Sequence, residues 1–339
     1  MSPSTDHGRH GLLLLRLPDL RCIDLGVLHG VLDVAITHTA ASLHIVVQAP
    51  GLARQARADD PDAIGWTQLQ EFLAILYGTA TRTAARQNKF LFETDVLLQI
   101  PDLVADEGSW LRDLDQVFVA AKDRAHWKPF LDTVLGAYNL SIASASVPSF
   151  TDLPCPADPT GPAGFSQTCT LDIRSDARLY DVTVIGGTFD HLHSGHKLLL
   201  TMTVWATRSV LHCGLSDEPL LKNKKFRDQL EPYQRRCERV DGFLRKINPR
   251  LDYRIVPLLD PFGPSVQEPG MQAIVCSGET LAGAEAVNQE RRKRNYPELA
   301  LLVVNVISHE SASGPGTDFS LKLSSTAIRE YYHNHAPPA

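Results

Sequence analysis

The sequence predicts an α/β protein whose C-terminal part forms a doubly wound parallel sheet, with a separate N-terminal domain of mixed α/β type. Three observations support this fold class: strand-like apolar runs alternate with helical patterns in the second half, a proline-rich segment divides the chain, and a turn rich in glycine and histidine follows the first of those runs. The 339 residues are enough for two domains of ordinary size.

The proline-rich segment sets the domain boundaries. Residues 141–170 contain five prolines among small polar residues. Proline removes a backbone donor and is disfavoured in helices and central strands, so this composition predicts an exposed linker. We therefore predict an N-terminal domain of unknown role over residues 1–140, a linker over 141–178 and a second domain over 179–336.

The N-terminal half shows folded elements without a catalytic constellation. Residues 42–50 and 90–100 are predicted to be strands, and residues 67–86 a helix with an apolar stripe. Thr67 and Gln70 match the spacing of a capping box at the start of that helix.

The C-terminal half alternates apolar runs with helical patterns. Parallel strands buried on both faces are predicted over residues 181–185, 210–215, 253–259, 271–276 and 299–307. Helices are predicted over residues 196–208, 233–247 and 282–294, and a last helix opens at the sequence SST. In such a sheet, ligands bind at the carboxyl ends of the strands, at the switch point of the strand order.

Composition excludes several functional classes. The net charge of −6 argues against nucleic-acid or membrane-surface binding by the whole chain. Six scattered cysteines without a C-x-x-C pair favour reduced thiols, and hence a cytoplasmic protein. No apolar run approaches the ~20 residues of a membrane span, and the first ten residues lack the apolar core of a secretory signal.

The turn after the first apolar run, residues 186–197, reads GGTFDHLHSGHK. Gly186 and Gly187 allow a tight turn and a close approach of the backbone to a ligand. His193 and His196 lie three residues apart, where the following helix begins and its backbone amides attract anions. This arrangement favours a phosphate site.

Two other interpretations of this turn stay open. His191, His193 and His196 could supply three zinc ligands, although no nearby cysteine or glutamate completes the set. The turn could also be an ordinary helix start with exposed histidines. It contains neither a P-loop nor a G-x-G-x-x-G dinucleotide pattern, so neither common phosphate motif applies.

Four later segments are predicted to lie at the same edge of the sheet. They are LKNKK at 221–225, PLLDPFGP at 257–264, CSGETLAGAEAVNQER at 276–291 and LKLSSTAIRE at 321–330. Together with GGTFDHLHSGHK, and in this order, they resemble the nucleotidylyltransferase superfamily and, within it, the phosphopantetheine adenylyltransferases of the eukaryotic type. The resemblance covers residues 180–333 and does not include the N-terminal half.

The resemblance implies transfer of the adenylyl group of ATP to 4'-phosphopantetheine, which gives dephospho-coenzyme A and pyrophosphate. The implied cofactor is Mg²⁺, which accompanies ATP and is held mainly by triphosphate oxygens and water. The implied partners are ATP and 4'-phosphopantetheine, without nucleic acid or membrane. A complex with other enzymes of coenzyme A biosynthesis is a further expectation.

Residue roles also follow from the resemblance. His196, assisted by His193, would bind the ATP phosphates and stabilise the transition state. Lys222, with Lys224 as the alternate, would bridge the two substrates, and Thr188 would also orient the acceptor phosphate. The implied contacts to ATP and its phosphates are Gly186, Gly187, Thr188, Phe189, Ser324, Ser325, Thr326 and Arg329.

One position departs from the family pattern. Ala282 stands where the animal-type sequences carry an arginine, so either the contact is missing or Arg291 or Arg292 replaces it. Asp190 is expected to cap the loop rather than to bind metal. Two alternatives to the implied activity remain: a related nucleotidylyltransferase with another acceptor, such as nicotinamide mononucleotide, and a non-catalytic scaffold that retains the fold.

Overall fold

The computed structural model describes residues 10–18, 20, 23–49, 52, 65–98, 109–138, 140–143, 147–148, 180–305 and 324–335. The chain divides into two compact units, Met1–Asp176 and Ala177–Ala339. Each unit contains its own five-stranded sheet. Among the residues given above, no helix is both long and apolar enough to cross a membrane.

The sheet of the first unit is parallel throughout and has the strand order β3-β2-β1-β4-β5. Its strands are β1 His10–Arg16, β2 Ser42–Gln48, β3 Glu93–Leu98, β4 Gln116–Val119 and β5 Ser141–Ile142. Its helices are α1 Leu25–Thr37, α2 Trp66–Arg86 and α3 Arg124–Tyr138. The four leucines of β1 are at most 3% exposed, because this strand lies at the centre of the sheet.

The structure confirms the two predicted strands and the predicted helix of this unit, and corrects the helix start. The first residue of α2 is Trp66, and Oε1 of Gln68 accepts the amide of Gly65 at 3.1 Å. The capping box predicted at Thr67 and Gln70 is therefore wrong, because the chain becomes helical before Thr67. The short strand β5 extends this sheet two residues into the segment that we predicted as a linker.

The sheet of the second unit is also parallel and has the strand order β10-β9-β6-β7-β8. Its strands are β6 Tyr180–Gly187, β7 Thr207–Ser216, β8 Asp252–Leu258, β9 Ala273–Ser277 and β10 Ala300–Val304. Its helices are α4 Ser194–Ala206, α5 Glu218–Leu221, α6 Tyr233–Ile247, α7 Leu281–Lys293 and α8 Ser325–His335.

All five strands and the longer helices predicted for this unit are present. Boundaries differ by a few residues, most clearly where α4 stops at Ala206 and the chain enters β7 directly at Thr207. The hydroxyl oxygens of Thr183 and Thr207 lie 2.6 Å apart, so the extended strand start is bonded to β6. The predicted end of the last strand, residues 306–307, lies outside the described residues.

The strand order reverses at β6, and this reversal identifies the edge of the sheet at which a ligand is expected to bind. The chain runs from β6 to β7 and β8 on one side, and then returns to β9 and β10 on the other. The carboxyl end of β6 is therefore the switch point at which doubly wound sheets bind ligands. The turn predicted to carry the chemistry, residues 186–197, begins there.

Candidate active site

The loop between β6 and α4 has a conformation that its side chains hold in place. Its last residue, His193, caps α4: Nδ1 of its imidazole accepts the amide of Gly195 at 3.2 Å. Phe189 and His191 have left-handed backbones, with φ of 49° and 45°. Such conformations are unfavourable for residues with a Cβ and persist where the surrounding structure enforces them.

The imidazoles of His193 and His196 form a stacked pair. Their ring centroids lie 3.9 Å apart, and the ring of Phe189 lies 5.3 Å from that of His196. Burial, followed by the charges of Lys197 and His191, lowers the pKa of His193 to about 4. Burial, followed by His193 and Lys224, lowers the pKa of His196 well below its ordinary value. Both rings are therefore neutral at pH 7 in the free protein.

One nitrogen of this pair is a candidate contact for a ligand. Nδ1 of His196 is buried and makes no hydrogen bond to the residues that the structure describes. A buried polar atom without a partner costs free energy, so this nitrogen gains stability from any ligand atom that bonds to it. The unpartnered nitrogen lies beside the amino end of α4, where backbone amides favour an anion.

The start of α8 comes close to the imidazole pair. The hydroxyl oxygen of Ser325 lies 3.4 Å from Nε2 of His193 and donates to the carbonyl oxygen of Asp190 at 2.9 Å. The hydroxyl of Ser324 accepts the amide of Ala327 at 3.2 Å and so caps α8. The structure therefore brings the predicted SST segment to the histidine turn, although 127 positions separate Ser324 from Lys197.

The predicted lysines lie at the same edge. Lys222 and Lys224 are exposed and follow α5, which comes directly after β7. Lys224 is close enough to His196 for its charge to contribute to the lowered pKa of that imidazole. Positive charge on a mobile side chain at this place suits the binding of a polyanion.

The three histidines do not converge as zinc ligands would. Nε2 of His191 lies 2.8 Å from the carbonyl oxygen of Gln229, and its ring stacks on Tyr332 at 5.3 Å. No group of three histidine, cysteine, aspartate or glutamate residues suited to a metal ion occurs in the described part of the chain. Because His191 is turned away from the other two imidazoles, this geometry favours the phosphate interpretation of the turn over the zinc one.

Two arginines proposed to replace the missing phosphate contact are used elsewhere. Arg291 is fully buried and donates to five carbonyl oxygens, those of Ser265, Glu268, Pro269, Met271 and Pro297. Arg292 is exposed and pairs with Glu298 at 3.1 Å. Arg291 is thus fully engaged by backbone carbonyl oxygens, and replacement of the missing contact by Arg292 stays a prediction.

Arg329, predicted as a phosphate contact, packs against the histidine turn. Its guanidinium is almost fully buried and pairs with Asp190, with Nη1 2.5 Å from Oδ2. Oδ1 of Asp190 accepts the amide of Glu231 at 2.9 Å, in agreement with a loop-capping role for this carboxylate. In this structure Arg329 therefore binds the loop through Asp190.

Sequence reasoning missed Arg236, which holds the ligand edge together from α6. This residue is 1% exposed, and Nη1 donates to the carbonyl oxygens of Thr188 and Ser216, at 2.8 Å each. It thereby joins the carboxyl ends of β6 and β7. Its position four residues before Val240, on the buried face of α6, was the signal that could have identified it.

The fold and the site together define a nucleotidylyltransferase-like protein. A family model described as cytidylyltransferase-like matches residues 184–331. The chain is 42% identical to phosphopantetheine adenylyltransferase of Saccharomyces cerevisiae over 163 residues, which are 48% of this chain and 52% of the yeast protein. It thus spans about half the length of that relative.

Archaeal relatives are matched over most of their length. The enzyme of the same name from Pyrococcus abyssi is 33% identical over 43% of this chain and 87% of its own length. The one from Thermococcus gammatolerans is 34% identical over 44% of this chain and 88% of its own length. The chain belongs to the phosphopantetheine adenylyltransferase family.

Proposed function

We propose that this protein transfers the adenylyl group of ATP to 4'-phosphopantetheine, giving dephospho-coenzyme A and pyrophosphate. The observation that carries the proposal is the meeting of three elements at the switch point: the stacked imidazoles of His193 and His196, the start of α8 at Ser325, and the lysine segment after β7. Membership of the family supplies the acceptor.

The chemistry requires positioning of anions more than proton transfer. The acceptor is a phosphate monoester that is largely dianionic at neutral pH, because its second pKa is about 6. One of its oxygens forms a bond to the α-phosphorus of ATP, the bond from that phosphorus to the bridging oxygen breaks, and pyrophosphate leaves. No general base is needed, and the site lowers the barrier by orienting both anions and stabilising the developing charge.

The imidazoles are assigned to the transition state. His196 donates a hydrogen bond to the reacting phosphate, and His193 assists and keeps the start of α4 in place. Neutral imidazoles can still donate one N–H each, and a bound triphosphate would raise their pKa values. The buried, unpartnered Nδ1 of His196 supports this role.

The remaining contacts surround these rings. Lys222, with Lys224 as the alternate, bridges ATP and the acceptor, and Thr188 orients the acceptor phosphate. The backbone at Gly186 and Gly187 approaches the phosphates closely, and the ring of Phe189 packs under it: a Cβ at Gly187 would meet that ring at 3.0 Å. Ser324, Ser325 and Thr326 are proposed as ligands of the β- and γ-phosphates at the start of α8.

Mg²⁺ is proposed to enter as part of the substrate MgATP. Asp190 is the carboxylate in the histidine turn, and both of its oxygens already have partners in Arg329 and the Glu231 amide. The ion is therefore held mainly by triphosphate oxygens and water, as is usual for Mg²⁺ with nucleotides.

The direct test is release of pyrophosphate by the purified protein with ATP, Mg²⁺ and 4'-phosphopantetheine. We expect turnover with this acceptor and none with nicotinamide mononucleotide. His196→Ala should lower kcat by about 100-fold or more, because it removes a donor to the transition state. Its circular dichroism spectrum should match that of the wild-type protein.

Three outcomes would contradict the proposal. Turnover with another acceptor alone would show a sister activity, and ATP binding without turnover would indicate a scaffold. A His196→Ala variant close to wild-type activity would remove the imidazole from the mechanism.

A cytoplasmic location is part of the same proposal. Cys213, Cys237 and Cys276 are free thiols, as is usual for proteins in a reducing compartment. The other three cysteines lie outside the described residues. A complex with other enzymes of coenzyme A biosynthesis stays a prediction.

A further inference from the structure

Asp190 and Arg329 form a buried ion pair between the histidine turn and the last helix. Asp190 is 0% exposed and Arg329 is 2% exposed. Nη1 of the arginine lies 2.5 Å from Oδ2 of the aspartate, across 139 positions of sequence. Two charges removed from water in this way are costly unless each finds good hydrogen-bond partners.

Each of the three guanidinium nitrogens has a protein partner. Besides Asp190, its Nε donates to the carbonyl oxygen of Lys225 at 2.9 Å, and its Nη2 donates to the hydroxyl of Thr326 at 3.2 Å. Lys225 ends the segment that carries the two lysines proposed to bind the substrates. One arginine therefore ties together the histidine turn, the lysine segment and α8.

Asp190 connects this arginine to the imidazoles. Its backbone oxygen accepts the hydroxyl of Ser325, whose oxygen lies 3.4 Å from Nε2 of His193. The residues on either side, Phe189 and His191, have left-handed backbones that cost free energy. The carboxylate thus lies in the strained part of the turn, between two left-handed residues. Its bond to Arg329 on α8 helps to hold the turn in this conformation.

We propose that Arg329 is a positioning residue that acts through Asp190, and that it is not a ligand of the ATP phosphates. The buried pair holds the histidine turn and the lysine segment in the geometry that the transition state requires. This inference rests on the proposed function for its kinetic readout. A displacement of about 1 Å at a catalytic group is enough to lower the rate roughly 100-fold.

The test compares four proteins: wild type, Arg329→Met, Asp190→Asn and the double variant. Each single substitution leaves one buried charge unpaired and should lower the thermal midpoint strongly. The double variant removes both charges, so its midpoint should lie closer to that of the wild type. Its kcat should nevertheless remain about 10- to 100-fold below wild type, with KM for ATP changed less than about threefold.

A phosphate ligand would behave differently. If Arg329 contacts ATP, Asp190→Asn leaves the guanidinium in place, so the two losses of kcat/KM multiply in the double variant and KM for ATP rises tenfold or more. If the pair is only structural, the double variant regains activity together with stability. Either result would overturn the inference.

A matched control is present at the opposite end of β6. Asp181 and Arg208 form an exposed pair of the same residue types at 3.0 Å. The double variant Asp181→Asn with Arg208→Met should leave both kcat and the thermal midpoint unchanged, because exposed ion pairs contribute little.

ATP binding, measured by calorimetry on the same proteins, separates this inference from the proposed function. If the wild type binds ATP but does not turn over, the proposed function fails. The inference is then judged by the affinity of the double variant: a Kd within about threefold of wild type supports it, and a tenfold weaker Kd overturns it.

Discussion

Buried arginines determine much of this molecule at the scale of single residues. Arg236, Arg291 and Arg329 are each at most 2% exposed, and all three donate to backbone carbonyl oxygens. A guanidinium offers five donors in a fixed plane, so one side chain can join several loops that are distant in sequence. In a sequence, the same residues resemble candidate phosphate ligands.

Arg291 and its neighbour Arg292 allow this role to be tested. Arg291→Met should lower the free energy of unfolding by at least about 2 kcal/mol, because several buried carbonyl oxygens lose their donor. Arg292→Met removes only an exposed pair with Glu298 and should cost at most about 1 kcal/mol. Urea unfolding of both variants measures the difference, and equal losses would contradict the assigned role of Arg291.

The imidazole pair predicts how stability depends on pH. A histidine in the unfolded chain titrates near pH 6.5, whereas the folded protein holds the pKa of His193 at about 4 and that of His196 well below its ordinary value. Between these values the unfolded state binds more protons, so the free energy of unfolding falls as pH decreases.

We therefore expect stability to decline from pH 7 to pH 5, and to decline less in His196→Asn than in the wild type. Denaturant unfolding at several pH values gives both slopes. At pH 8 the two imidazoles are neutral in the folded and unfolded states, so this contribution vanishes there. Identical slopes for the two proteins would show that His196 is not held neutral by the fold.

At the scale of elements, two glycines near the carboxyl edge of the second sheet leave the space that a leucine side chain occupies. Gly263 has φ of +51°, and a Cβ there would lie 2.2 Å from a methyl of Leu258. Gly214, near the carboxyl end of β7, faces the same side chain at 2.6 Å. Gly242, by contrast, lies in α6 with nothing within 4 Å of its Cβ position.

These differences predict that replacing glycine by alanine has opposite effects on stability at the two positions Gly263 and Gly242. Gly263→Ala should lower the free energy of unfolding by about 1 kcal/mol or more, since a left-handed backbone is unfavourable for alanine. Gly242→Ala should raise it by up to about 1 kcal/mol, because alanine favours an exposed helix interior. Thermal unfolding of the two variants decides, and a stabilised Gly263→Ala protein would contradict the backbone argument.

At the scale of the whole molecule, all proposed site residues belong to one unit. Residues from Gly186 to Arg329 lie within Ala177–Ala339, which has its own sheet and its own core between β9 and α7. The N-terminal unit likewise has a complete five-stranded sheet. Each unit therefore contains a sheet of its own, as expected of a domain that can fold alone.

A fragment that starts at Ala177 should consequently keep the proposed adenylyl transfer, with kcat/KM within about threefold of the full chain. Circular dichroism and a cooperative thermal transition would first establish that the fragment folds. A folded fragment with kcat/KM reduced more than tenfold would show that the N-terminal unit contributes to catalysis.

The sequence by itself determined the fold class and the place of the site. Apolar runs of five to nine residues predicted buried parallel strands, and the motif at residues 186–197 predicted a phosphate site where the first of them ends. The strand predictions are confirmed because strand burial depends on neighbours along the chain, whereas the phosphate site stays a prediction. The amino-terminal strand β1 and the helices α1 and α3 escaped prediction, because their patterns are short, mostly apolar on all sides or interrupted by Pro129.

Only the tertiary structure decided what the polar side chains near the site do. It turned His191 towards Gln229, assigned Arg291 to five carbonyl oxygens and paired Arg329 with Asp190. The physical reason is that the environment of a charged group depends on partners that are far away in sequence. Spacing along the chain carries no information about which of those partners folding brings within hydrogen-bonding distance.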